Sequence, residues 1–160
     1  MLICSALYNA SDAPRRKDML RRFDHAAIFV MIAGTYTPFL AVKIEGIWGH
    51  WLLVYVWAVA GVGVVLKLIW VNRFARLSVV LYLFLGWTIV VAIEPLLASV
   101  SPPAIMLLVA GGILYSIGVL FHLWERLPYQ RAIWHGFVAA AAVCHYLAIM
   151  DQVALPNSFT

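Results

Sequence analysis

Charged and polar side chains are scarce in this chain, and those inside or at the ends of its apolar stretches are the first candidates for chemistry. Asp24 and His25 open one such stretch. Arg131 and His135 open another, four residues apart and therefore on one helical face. Ser5 and Asn9 repeat that spacing at the end of a short apolar run. Ser, Asp and His are the residue types from which a zinc site or a proton-transfer site is built. Plainer roles compete for each of them. Asp24 also suits a helix N-cap, with its carboxylate at the positive end of the dipole. His135 alone, or His122 beside Trp124, reads as an interfacial anchor, and His50 groups with Trp48 and Trp51 as an aromatic belt would. His145 lies about 15 Å along the helix from His135, too far to share a ligand, and is expected to hydrogen-bond a neighbouring helix. Glu94, before Pro95, can snorkel from the end of its span.

The elements that carry these residues follow from composition. The chain has 160 residues, 65% of them hydrophobic and 11% charged, with a mean hydropathy of +0.95. An average soluble domain is roughly 45–50% apolar and about 25% charged. A compact sphere of this size cannot hide so much apolar surface behind a polar coat. A disordered chain, a nucleic-acid module and a disulfide-stapled secreted domain are all excluded. Cys4 and Cys144 have neither metal-type spacing nor a partner framework.

Crossing a hydrocarbon core of about 30 Å takes roughly 20 apolar residues. Five windows qualify: Ala26–Val42, Trp51–Trp70, Ser78–Ala98, Ala104–Phe121 and Ala132–Met150. They are expected to be helices, because open sheets leave backbone groups unsatisfied in lipid. The fold class is therefore all-α, a multi-pass transmembrane bundle in one membrane-embedded domain. Its five full spans are joined by a partial N-terminal helix at Met1–Tyr8, whose upstream part is expected to lie outside this chain. Gly136, Ala140 and Cys144, Gly61 and Gly63, and Gly111 and Gly112 mark faces for close helix packing.

Ten of the eleven basic residues fall in alternate connections: Arg15, Arg16, Lys17, Arg21 and Arg22; then Lys67, Arg73 and Arg76; then Arg126 and Arg131. Lys43 is the exception. By the positive-inside rule, those connections face the cytoplasm and the C-terminus lies outside a plasma (inner) membrane. Ser5, Asn9, Asp24, Arg131 and His135 then share one depth, in the cytoplasmic leaflet. Membrane lipids are the expected partners and nucleic acid is not; the sequence leaves oligomeric state open.

Several segments resemble the hemolysin III family, the bacterial branch related to the progestin and adipoQ receptors. They are S-A-L-Y (Ser5–Tyr8), F-D-H-A-A-I-F-V-M-I-A-G-T-Y-T-P-F (Phe23–Phe39), Y-L-F-L-G-W (Tyr82–Trp87), G-G-I-L-Y-S-I-G-V (Gly111–Val119) and A-I-W-H-G-F-V (Ala132–Val138). The resemblance implies seven spans, of which the first and most of the second would be missing here. It also implies a zinc site with S-x-x-x-H at the end of the second span, H-x-x-x-H at the start of the last, and the Asp of D-H beside a metal-bound water. Here those motifs read Ser5-Ala-Leu-Tyr-Asn9 and Arg131-Ala-Ile-Trp-His135. His135 is the retained metal-ligand position, with Asp24 and Ser5 in supporting catalytic positions, and Asn9 and Arg131 replace the other two histidines. A guanidinium does not deprotonate to bind a metal. No resident cofactor is therefore expected, although zinc is what the resemblance implies, and Arg131 is expected to pair with Asp24 in its place, directly or through a water. The alternative is that Arg131 snorkels to lipid phosphates. The resemblance further implies a role in cytolysis or membrane homeostasis. Alternatives are a zinc-dependent hydrolase of lipid amides or esters, with Asp24 as general base, and a receptor-like protein.

Overall fold

The structure, a computed structural model, describes residues 7, 11, 13–44, 46–70, 75–124 and 126–154. Ser5, Asn9 and Cys4 lie outside them, as does the expected N-terminal partial helix apart from Leu7. The described residues are all-helical. Helix α1 runs Pro14–Pro38 and ends in a π turn, Phe39–Lys43. Helix α2 is Ile47–Ile69. The third crossing is built from α3 (Ala75–Gly86), a 3-10 segment (Trp87–Ala92) and α4 (Ile93–Ser99). Helices α5 (Pro102–Leu123) and α6 (Gln130–Ile149) complete the bundle, and a final π turn covers Met150–Ala154. Five of these stretches are long and apolar enough to cross a membrane: Pro14–Lys43, Ile47–Ile69, Leu77–Ser99, Pro102–Leu123 and Gln130–Gln152. This is a multi-pass membrane protein.

The spans begin and end close to the expected windows, with one large exception. Helix α1 starts at Pro14, twelve residues before the apolar window, so Arg15–Arg22 forms its opening turns instead of a loop. Proline at the first helical position preorganises φ, and Arg, Lys, Met and Leu sustain the helix once begun. An Arg22–Asp18 ion pair of 3.0 Å spans one turn there. The N-cap position belongs to Ala13, so Asp24 is not a cap; it sits in the helix interior. Lys67 is likewise not a loop residue, because α2 continues past it to Ile69.

Two antiparallel helix pairs, α1 with α2 and α5 with α6, pack along their lengths, and the third crossing bridges them. The main core is drawn from all five spans, including Phe29, Ala33 and Tyr36 of α1, Val56 and Ala60 of α2, Leu85 and Leu96, Ala104 and Ala148. A smaller cluster at the basic end joins Val79, Val119, Trp134 and Val138. Large side chains such as Val62, Val80, Phe84 and Leu120 point outward, where hydrocarbon covers them.

The 3-10 segment has a local cause. The Tyr36 hydroxyl, carried across from α1, lies 2.6 Å from Gly86 O and 2.9 Å from Leu85 O, to which it donates. It also accepts from the Ile89 N–H at 3.0 Å. A side chain inserted into the backbone ladder tightens the turn, and Tyr36 bonds backbone groups at the start of the interruption. At the opposite end of the bundle, Ser101 caps α5 and is clasped by the α6 extension. Its Oγ donates to Asp151 Oδ2 at 2.9 Å, and its N–H donates to Gln152 Oε1 at 3.1 Å.

Candidate functional site

The basic end of the bundle gathers ionisable side chains from four helices. Asp24 and His25 face it from α1, Lys67 from the last turn of α2, His122 from the last turn of α5, and Arg131 and His135 from the first turns of α6. Two hydrogen bonds fix this level. The His25 ring nitrogen Nδ1 lies 2.8 Å from Arg21 O, and the Tyr82 hydroxyl of α3 donates to His25 O at 3.0 Å. Gln130 at the start of α6 donates to His122 O, which holds the α5 and α6 ends at the same depth.

Asp24 and His135 are half-buried and near enough for each charge to act on the other. Asp24 Oδ1 is buried and has no hydrogen-bond partner among the described residues. His135 is also acted on by Arg131, and His122 by His135 and Arg131, while His122 in turn acts on His25. His122 stacks on Trp134 with ring centroids 5.0 Å apart and planes tilted by 45°. Among the described residues, then, one carboxylate and three imidazoles share an electrostatic neighbourhood. The expectation for Arg131 fails at one point. The ion pair formed among the described residues is Arg22–Asp18, not Asp24–Arg131. Arg131 is exposed in the first turn of α6, whereas His135, one turn deeper, faces α1.

The donor set is a poor fit to zinc. A catalytic zinc site needs three protein ligands and an open position. Among the described residues no three His, Cys, Asp or Glu side chains come together in a way that could hold a metal ion. The imidazoles feel each other's charge without converging on one point, and the position one turn before His135 carries a guanidinium. Asp24 and His135 act on each other without a direct ion pair or hydrogen bond, so a proton would pass between them only through an intervening group such as water or a bound ligand.

The other histidines behave as structural groups. His145 lies against Gly111, where even a methyl group would meet its ring, and its Nε2 is 3.2 Å from Leu108 O of α5. It also faces the Tyr115 ring at 5.5 Å and lines two adjoining, mainly apolar cavities of about 80 and 120 Å³ with Tyr36 and Trp87. The expected hydrogen bond to a neighbouring helix is thus present. His50 bonds within its own first turn, to Gly46 O at 3.0 Å, beside the exposed Trp48 and Trp51.

His122 is the participant that sequence reasoning assigned elsewhere, to an anchor beside Trp124. A signal for it was present, because α5 and α6 are joined by a short connection, so their facing ends must lie at one depth.

Comparison with known proteins adds the ancestry. The family described as Haemolysin-III related matches residues 1–146. This chain belongs to the hemolysin III family. It is 42% identical to the hemolysin-3 homolog of Bacillus subtilis over 150 residues, which covers 94% of this chain and 70% of that protein. It is 39% identical to hemolysin-3 of Bacillus cereus, covering 99% of this chain and 72% of that one. A more distant relative is the human monocyte to macrophage differentiation factor, 28% identical over 79% of this chain and 52% of its own length. No solved structure matches the chain.

Proposed function

We propose that this hemolysin III family protein acts on membrane integrity, in cytolysis or membrane homeostasis, without a working zinc centre. The observation that carries the reading is the Asp24–His135 juxtaposition beside Arg131: a carboxylate and an imidazole are coupled, and a fixed cation stands where a further ligand would be needed. The names of the Bacillus relatives, hemolysin-3 and its homolog, point to an effect on membranes. In this reading Asp24 and His135 act on each other across the α1–α6 seam at the basic end, without direct ion-pair contact.

Proteoliposomes loaded with a self-quenching dye test the proposal. The reconstituted chain should change dye permeability relative to empty vesicles, and a metal chelator should leave that change intact. Unchanged permeability, together with chelator-sensitive cleavage of a lipid amide or ester, would replace this reading with the hydrolase. The Asp24–His135 pair is the observation that favours that second reading, since such a pair is suited to general acid–base work.

The same proposal places the basic end in the cytoplasm of the plasma membrane and Thr160 outside, on the strength of the basic-residue asymmetry. A C-terminal alkaline phosphatase fusion should be active in intact cells. Activity of a C-terminal fluorescent reporter that matures only in the cytoplasm would reverse the orientation.

A further inference from the structure

Lys67 is the most deeply buried charged side chain among the described residues, at 2% exposure. It lies in the last turn of α2, packed among Phe29, Gly63, Leu66 and Leu81, and its Nζ has no hydrogen-bond partner among the described residues. The charged groups that act on it or share its surroundings are Arg21 and His25, neither of which supplies a negative charge. Arg22, a second guanidinium at this helix end, is engaged with backbone carbonyls, Leu68 O at 2.6 Å and Ile69 O at 3.4 Å. An ammonium removed from water and left without an anion or acceptor is costly, so a site retaining one calls for a partner from outside the chain.

The space beside Lys67 indicates what that partner is. Lys67, Ser78, Trp70 and Leu77 border a void of about 10 Å³. That is room for about one oxygen-sized atom, not for a whole polyatomic ion. Trp70 and Leu77 form its rim and are half-exposed, at 47% and 49%. They give an apolar shelf at the membrane end of α2, next to the basic opening turns of α1. Basic pockets between transmembrane helices are where anionic headgroups are held.

We propose that Lys67 is an anion site for one phosphate oxygen, inserted between the end of α2 and the start of the third crossing, with the rest of the phosphate outside over Trp70 and Leu77. The phosphate can come from an anionic phospholipid headgroup or from free phosphate. The proposal is independent of the zinc question, since Lys67 belongs to neither motif of that site.

The test is thermal unfolding of the purified chain in nanodiscs. Discs of the phosphate-free neutral glycolipid digalactosyldiacylglycerol are compared with the same discs doped with phosphatidylglycerol and with the undoped discs in inorganic phosphate. Phosphatidylglycerol should raise the wild-type midpoint by about 2–4 °C. Lys67→Arg should keep that rise and Lys67→Met should lose it. In the glycolipid alone, Lys67→Met should melt no lower than wild type, because it removes an unpartnered charge. An equal rise with inorganic phosphate assigns the site to the free anion, and a rise confined to phosphatidylglycerol assigns it to lipid. Native mass spectrometry supplies a second readout, in which Lys67→Gln should retain one phosphatidylglycerol fewer than wild type. A rise that persists in Lys67→Met, or no rise with either phosphate source, overturns the proposal.

Discussion

Gly63→Leu should destabilise the bundle by about 1–3 kcal/mol or more, the range for forcing extra carbons into a packed core. Gly63 of α2 lies directly under the Phe29 ring of α1, and even a methyl group there would overlap that ring. Phe29 has nowhere to go. It is 1% exposed and tilts against Tyr82 with ring centroids 4.5 Å apart, so moving it disturbs α3 as well. Gly61→Leu, on the same helix with open space around its α-carbon, is the matched control and should cost little. The check is thermal or denaturant unfolding of the detergent-solubilised chain. Equal losses at the two positions would mean that glycine flexibility, not the close approach of α1 to α2, governs this contact.

The second large effect concerns Tyr36, whose hydroxyl both donates to and accepts from the third crossing. Tyr36→Phe keeps the ring and removes those bonds. The Ile89 N–H and the Gly86 carbonyl then lose their tie to α1. The expected loss is about 1–3 kcal/mol, from one donated and one accepted hydrogen bond at roughly 0.5–1.5 kcal/mol each. Hydrogen exchange should quicken locally at Ile89. An unchanged midpoint with unchanged exchange would show that the 3-10 turn forms by itself and that Tyr36 merely decorates it.

These two sites show what the sequence can and cannot reveal. The five crossings are legible because hydrocarbon demands long apolar runs, and nothing else in the chain competes with that signal. The opening turns of α1 are not, since Arg15–Arg22 is helical by propensity and by Pro14 at the first position, while a hydropathy window registers only its charge. Lys67, counted with a basic connection although its apolar window runs to Trp70, lies inside α2, which buries it. The tight turn at Trp87–Ala92 depends on a hydroxyl from a span some fifty residues away, a tertiary contact with no local signature.

The depth of Asp24, Arg131 and His135 was readable from the basic connections. Which of them would come together was not, because that depends on how the helices pack. Arg131 and His135 share one face of α6, and His135, one turn further in, comes within reach of Asp24 while Arg131 stays exposed at the helix end. His122 joins them through the short connection between α5 and α6.

The most direct test of the central reading is the zinc content of the chain itself, extracted from zinc-replete membranes and measured by elemental analysis against protein concentration. A donor set of one motif histidine, a carboxylate and an arginine should leave zinc well below one atom per chain, with His135→Ala having no effect on the figure. One zinc per chain, lost in His135→Ala, would contradict the account.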